Sequence, residues 1–553
     1  MSRKTLLVLA GLLVLQSFIV ALVFTPQPHG GGDNAGYVTL AHSILEDGTY
    51  QELWDPAEPA HIKYPPVFSA LLAVAILAGA KSWGALKVVP AFSVVLAVAF
   101  AFLWARERKG LAVGAFVALL LGISESVVYY SQWILSDPAF LAVTMAALWA
   151  LTKSSGVEAP GGARRAAHLW LVIGMVLVVL AYFTRSAGLP LVVATVLWLA
   201  VTGRWKAVLG FAALFGVPAL LWWLRGRGLG GSQYASEFWL VNPYQPGLGT
   251  VGLGGLLDRV GGNLSAYLLA IIPAGIIGDD VPVFPRVLVG IGLALVALVG
   301  WIRTLREELG PAELFLPLYL GLILLWPEAW SGDRFALPLL PLLFFYCGTA
   351  LGWLLVSFSK RARQGLVAVF LVGLAIPAGY QWWRMADDAG DCRELSRAGR
   401  GRECLPVALG EYFALAEWAG RSLPDGASVT TRKPRIFFVM SGVKAHSVPL
   451  EADPDRFLAR VRDSGSRYVS IDLLDAVSGY YVYPALQSRT AAFCGLVGVG
   501  QAGTQLLGVP EAQLGTTTPG EPSGLARCPP DMVRDDPRET GSGQGWEIPL
   551  LVW

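Results

Sequence analysis

The sequence predicts a polytopic α-helical membrane protein with a small α/β domain after its last membrane segment. Three observations carry that prediction. Of 553 residues, 54% are hydrophobic and only 15% are charged, whereas soluble domains average about 25% charged. Apolar runs recur along the first two-thirds of the chain, about eleven of them long enough to cross roughly 30 Å of hydrocarbon. After Trp383 the pattern changes to short β-like runs and turn residues, and four of the five cysteines lie there. A formal net charge of +2 is neutral on nucleic acid, and none is expected as a partner.

The clear apolar runs lie near 4–24, 86–105, 111–131, 166–184, 186–202, 206–224, 284–302, 334–357 and 363–383, with shorter ones at 138–152 and 312–327. The first is too long for a signal peptide's apolar core and no small-x-small cleavage site follows, so it reads as a retained span. Charge then sets the direction. Short loops carrying Arg3/Lys4, Arg106/Arg108/Lys109, Lys153/Arg164/Arg165, Arg204/Lys206, Arg303/Arg306 and Lys360/Arg361/Arg363 fall on one side only if 65–80 does not cross. The positive-inside rule favours that choice. Residues 65–80 are therefore expected as a helix on the outer face. By the same logic 263–280, with its internal Pro273, is a re-entrant or interfacial piece. The N-terminus lies inside and the C-terminal region outside, at the cytoplasmic membrane.

Between the first two spans runs an outer loop, 25–85, whose stretch from Pro26 to Pro66 is dense in charge. It holds Asp33, Glu46, Asp47, Glu52, Asp55, Glu58, His29, His42, His61 and Lys63. Tyr37, Leu40, Ala41, Ile44 and Leu45 recur at helical spacing, so 35–50 reads as an amphipathic helix. Gly30, Gly31 and Gly32 let the backbone before it come close to a ligand.

The membrane module is set at 1–384, an α/β domain at 385–509 and a Gly/Pro-rich tail at 510–553. In the domain, 405–423 reads as a helix, as does the stretch after Asp453, its N-cap. ASVTT, RIFFVMSG, RYVSIDLL and CGLVGV read as β-like runs. Cys392, Cys404, Cys494 and Cys528 suit an oxidising compartment. Of the three connectivities, 392–404 with 494–528 is preferred.

Asp33, Asp137, Arg185 and Arg334 all stand at the outer ends of apolar segments, with Lys63 from the loop beside them. A charge at hydrocarbon depth costs about 2.5–3.5 kcal/mol on insertion scales, so such groups gather around water, each other or a substrate. Asp33 also reads as the N-cap of the 35–50 helix, and Asp137, between Ser136 and Pro138, as another.

DNAGYVTLAHSILEDGTY followed by HIKYPP, then LSDP, TRSAGLPL and DRFALPLLPLL, resembles the C-type membrane glycosyltransferases over about the first 355 residues. It is similar to bacterial protein O-mannosyltransferases and aminoarabinose transferases. The resemblance implies a polyprenyl-phosphate sugar as donor, a lipid, glycan or protein acceptor, and chemistry on the outer face. It matches Asp33 to the family's first-loop catalytic aspartate, Asp137 to its second acidic residue and Lys63 to the lysine before its paired prolines. Two positions depart. Asn34 stands where relatives often have Glu, and Ile62 stands where aminoarabinose transferases carry a glutamate implicated in metal binding. Metal-independent chemistry is the expectation, with a divalent metal, ligated by Asp137, as the alternative.

The implied mechanism has Asp33 take the acceptor hydroxyl's proton, worth about 10²–10⁴-fold in rate. Lys63, Arg185 and Arg334 hold the developing phosphate charge, and in-line attack inverts the anomeric centre. Asn34, Tyr37, His61, Tyr64 and Asp333 are further candidates. A flippase or other transporter of lipid-linked sugars and a polysaccharide ligase-like enzyme remain the alternatives. The internal repeats and paired broken helices of transporters are not visible in the sequence.

Overall fold

The computed structural model describes residues 2–155, 162–227, 233–511, 525–534 and 548. Among these, eight helices are long and apolar enough to cross a membrane by length and composition. They are Arg3–Leu22, Trp83–Lys109, Arg164–Thr184, Trp205–Arg225, Leu253–Ile277, Val283–Glu307, Asp333–Leu354 and Lys360–Arg397. Ser136–Lys153 is a further apolar helix, almost wholly buried, and Leu111–Ile123, Ser186–Val201 and Pro311–Leu324 are shorter apolar helices. The count of about eleven crossings therefore rests partly on helices shorter than the length rule asks.

Several boundaries differ from those read off the sequence. The run at 111–131 breaks at Ser124, giving Leu111–Ile123 and a short helix Glu125–Tyr130. Val67–Leu77 has 11 residues, about 16 Å of helix, too short to cross. Lys360–Arg397 has 38 residues, about 57 Å, and continues well past 383.

Leu253–Ile277 is one helical run with a π-helical turn at Tyr267–Ile271. Its hydrogen-bond partners show its course. Asn263 donates to the carbonyls of Leu324 and Trp326 at 2.9 and 2.8 Å. Tyr267 donates to the Gly332 carbonyl at 3.4 Å, and Ser126 donates to that of Gly275 at 2.9 Å. All of these lie at the end of the bundle that carries Asp33, so the run follows that rim.

The basic loops gather at the opposite end. There Lys109 meets Glu307 at 2.7 Å, Lys153 meets Glu107 at 3.3 Å, and Arg108 meets the fully buried Glu313 at 3.3 Å. Close helix crossings use glycine, as membrane bundles do: a Cβ on Gly300 would stand 1.9 Å from the Tyr346 carbonyl oxygen. Outer helices show apolar faces; in Trp205–Arg225 only Phe211 is buried.

The C-terminal domain has a six-stranded sheet, ordered β2-β1-β3-β5-β4-β6. The strands are β1 Ser428–Thr431, β2 Lys444–Ser447, β3 Tyr468–Ile471, β4 Cys494–Val499, β5 Thr504–Gly508 and β6 Ala526–Arg527. β1 pairs in parallel with β2 and β3, while β5 runs antiparallel to β3 and β4. Phe457, Val461, Val469 and Leu507 form one core; Tyr412, Leu415, Val429 and Phe437 join the other. Asp453 caps its helix as read, accepting from Asp455 and Arg456.

RIFFVMSG is a correction: it is helix, Pro434–Ser441. Proline at the first position fixes the entry, and Gly442, at φ 71°, closes it in the left-handed region. Cys494–Cys528 is a disulfide as expected, whereas Cys392 and Cys404 are free thiols rather than the second bridge. The tail after Pro510 lies largely outside the described residues.

Candidate active site

At the Asp33 end a cavity of about 770 Å³ opens between the helical bundle and the C-terminal domain. Its floor begins with the helix Gly32–Asp47. Asp33 lies in the first turn of that helix, where the helix dipole favours a negative charge. The backbone cap is Gly31, and Asp33 makes no capping bond, so the N-cap reading is corrected. A Cβ on Gly31 would lie 2.7 Å from the Asn34 amide and 3.0 Å from Trp133. That is why glycine stands here.

Asp33 is the meeting point. Its Oδ1 accepts from the Tyr64 hydroxyl at 2.6 Å and its Oδ2 from Arg334 at 3.0 Å. Burial alone raises this carboxyl, but Arg334, the Tyr64 hydroxyl and Arg435 outweigh it and hold it well below the usual range. Tyr64 reaches Asp33, while its neighbour Lys63 binds Glu237 at 2.9 Å and lies 5.3 Å over the Trp330 ring. Both line the cavity.

Arg185 follows the Gly162–Thr184 helix and Arg334 opens the Asp333–Ala336 turn. Their guanidiniums each stack on Phe335, 4.9 Å from its centre. Asp137 grips Arg185 at 2.6 Å and is 2% exposed. It does not cap its helix, whose N-cap is Leu135, nor does it reach the cavity wall.

Asn34 donates to the Gly31 carbonyl at 3.2 Å. Tyr37 bonds Ser136 at 2.8 Å. Asp333 accepts from Tyr130 at 2.8 Å, off the wall. His61 is buried behind the wall: its Nε2 accepts the Tyr64 N–H at 2.6 Å, so its proton sits on Nδ1, facing Glu52 at 2.6 Å. Burial keeps the ring neutral against the pull of Glu52.

The third wall comes from the C-terminal domain. Arg432, Lys433 and Arg435 follow β1, Ser447 ends β2 and Val448 follows it, and Val477 follows β3. The carboxyl ends of the parallel strands thus face the cavity, the edge where open α/β sheets bind ligands. Arg432 pairs with Asp475 at 2.7 Å. Burial, then Arg432, pulls Lys433 down. Arg435 bonds Tyr64 at 3.0 Å and Glu52 at 2.9 Å. Burial raises Glu52, but Arg435 and His61 bring it down to about 2. Sequence reasoning missed Glu52 and these three cations as site residues. The signal available was the run RKPR directly after a strand, its proline opening the next helix.

The donor set does not suit a metal ion. Both oxygens of Asp33 already face hydrogen-bond donors, one of them cationic. Among the described residues no three His, Cys, Asp or Glu side chains come together as a ligand set.

No protein-family model and no curated protein matches the chain. Solved structures do. ArnT from Cupriavidus metallidurans in the apo state matches at 13% identity and TM-score 0.58, over 93% of this chain and 100% of that one. ArnT bound to undecaprenyl phosphate matches at 15% and 0.55, over 94% and 100%. The archaeal oligosaccharyltransferase AglB from Archaeoglobus fulgidus, solved with an inhibitory peptide and a dolichol-phosphate, matches at 14% and 0.56, over 93% and 75%. At these identities the likeness shows a shared fold.

Proposed function

We propose that this chain, built on the fold of membrane glycosyltransferases, transfers a sugar from a polyprenyl-phosphate carrier to an acceptor hydroxyl at the outer face of the cytoplasmic membrane. One observation carries the reading: a carboxylate, Asp33, held ionised by Arg334 and Tyr64 in a cavity that Lys63 and Arg185 also line. Two structures of this fold hold prenyl phosphates, undecaprenyl phosphate in one and a dolichol-phosphate in the other, which supports a donor of that class.

The roles follow from charge and reach. Asp33 accepts the acceptor's proton as its oxygen attacks the anomeric carbon. The bond from that carbon to the phosphate oxygen breaks, and the phosphate leaves with the electron pair. A prenyl phosphate needs no proton to leave, but its charge needs cations. Arg185 and Arg334 suit two-pronged contact and Lys63 a point charge. Attack opposite the leaving group inverts the centre. Asp137 holds Arg185 in place from behind.

The test is mass spectrometry of envelope glycans and lipids from a strain lacking the gene. A missing sugar substituent with accumulated polyprenyl-phosphate sugar is expected. An unchanged envelope with no accumulated donor contradicts the proposal.

A further inference from the structure

We propose that Arg435 is a positioning residue for the transfer reaction: it holds the Tyr64 hydroxyl against Asp33, so the reacting carboxylate is set in place only when the C-terminal domain is docked. This rests on Asp33 being the base and adds a residue from outside the membrane module to its machinery.

The connection is a continuous chain of hydrogen bonds. Arg435 Nη1 donates to the Tyr64 oxygen at 3.0 Å, and the Tyr64 hydroxyl donates to Asp33 Oδ1 at 2.6 Å. A phenol that accepts from a guanidinium becomes a stronger donor to its own acceptor. The other prong is anchored: Nη2 donates to Glu52 Oε1 at 2.9 Å, and that same oxygen meets His61 Nδ1 at 2.6 Å. Trp54 donates to the second Glu52 oxygen. Glu52 is thereby fixed from three sides, and a planar guanidinium fixed at one prong has the other aimed. Lysine, a single point charge on a flexible stem, cannot reproduce this.

The backbone is arranged to admit the side chain. Arg435 is the second residue of Pro434–Ser441, whose proline sets the exit from β1. Its side chain is 17% exposed and passes over Gly36 of the Gly32–Asp47 helix. A Cβ at Gly36 would stand 3.1 Å from Arg435 Cδ and 3.3 Å from Nη1. Alanine is the better helix former, so glycine at this buried position gives up helix propensity and makes room for the guanidinium.

The same face of the domain is locked to the first loop nearby. The Ala445 N–H donates to the Trp54 carbonyl at 2.8 Å, and Lys444 bonds the Leu53 carbonyl and Glu58. Docking of the domain and seating of Tyr64 are therefore one event. With Tyr64 and Arg334 each binding one oxygen, the Asp33 carboxylate plane is fixed and a lone pair on each oxygen remains for the acceptor hydroxyl.

The experiment uses full-length protein in membranes of the deletion strain, with that strain's total lipid extract as donor probe and its envelope fraction as acceptor. Arg435→Met is expected to lower kcat by about 10–100-fold, the size of a positioning loss, with the KM for the extract within about twofold. Arg435→Lys is expected to recover little of it. Tyr64→Phe breaks the same chain, so Arg435→Met with Tyr64→Phe is expected to be no slower than Tyr64→Phe alone. Gly36→Ala, which keeps Arg435 but crowds it, is expected to lower kcat and to add nothing to Arg435→Met. It decides the matter should Arg435→Met fail to insert. A wild-type kcat in Arg435→Met, full rescue by lysine, or losses that multiply in the double variant overturn the proposal. Asp33→Asn run alongside separates the two ideas. Transfer by that variant removes the base itself, whereas its silence beside a wild-type Arg435→Met removes only the positioning role.

Discussion

The Asp33 carboxylate accepts a hydrogen bond from the Arg334 guanidinium at 3.0 Å, across 301 residues of sequence. The first polar loop and a late membrane helix thus meet in one ion pair at the cavity. The pair opposes burial and keeps Asp33 ionised.

That fixes a pH dependence. A carboxyl depressed in the folded state contributes stability that is complete above its unfolded value of about 4 and is lost only as pH falls through the lower folded value. Arg334→Met removes the largest influence opposing burial, so the carboxyl rises. Transfer rates from about pH 4 to 8 check this. The wild type holds its rate toward acid, and the variant loses it at higher pH.

Asp137 and Arg185 form a buried pair at 2.6 Å, 2% and 15% exposed. Asp137→Asn strands the guanidinium, and breaking a buried pair costs about 3–5 kcal/mol. Thermal unfolding in detergent is expected to show a clear drop for Asp137→Asn. The double variant with Arg185→Met recovers stability but not transfer.

Lys63 is bound to Glu237 in this structure, a contact that a donor phosphate must displace. Glu237→Gln is expected to lower the donor KM about three- to tenfold, the net worth of a typical hydrogen bond in a partly solvated pair. Lys63→Met is expected to raise it. Initial rates against the amount of donor check both.

Gly300 packs against the backbone of Tyr346, whose hydroxyl donates to Glu313 at 3.0 Å. Gly300→Ala forces the Val283–Glu307 and Leu340–Leu354 helices apart. Overpacking of this kind costs about 1–3 kcal/mol. A lowered unfolding temperature with the donor KM unchanged is the expected result.

Much of this was legible in the sequence because charge is scarce there. Arg185 and Arg334 stand out against apolar runs, Asp33 and Lys63 are singled out within their charged loop by the motifs they match, and all four line the cavity. The fold was legible for the same reason. Asp137 and His61 were equally conspicuous, yet they pack behind the wall. Charge against an apolar background marks a buried polar network without separating its front from its back. Glu52 and Arg435 were hidden by the opposite circumstance. Each lies among other charged residues, and only the docking of Pro434–Ser441 on Gly32–Asp47 brings them together. RIFFVMSG misled because β-branched and aromatic residues suit strands, while Pro434 and Gly442 bound a helix.

The central claim is that Asp33 removes the acceptor's proton. Its most direct test is sugar transfer by Asp33→Asn in the deletion strain, with membrane insertion and unfolding temperature measured on the same samples. The account predicts normal insertion, an unfolding temperature near wild type and no detectable transfer. Transfer at a wild-type rate by that variant would contradict it.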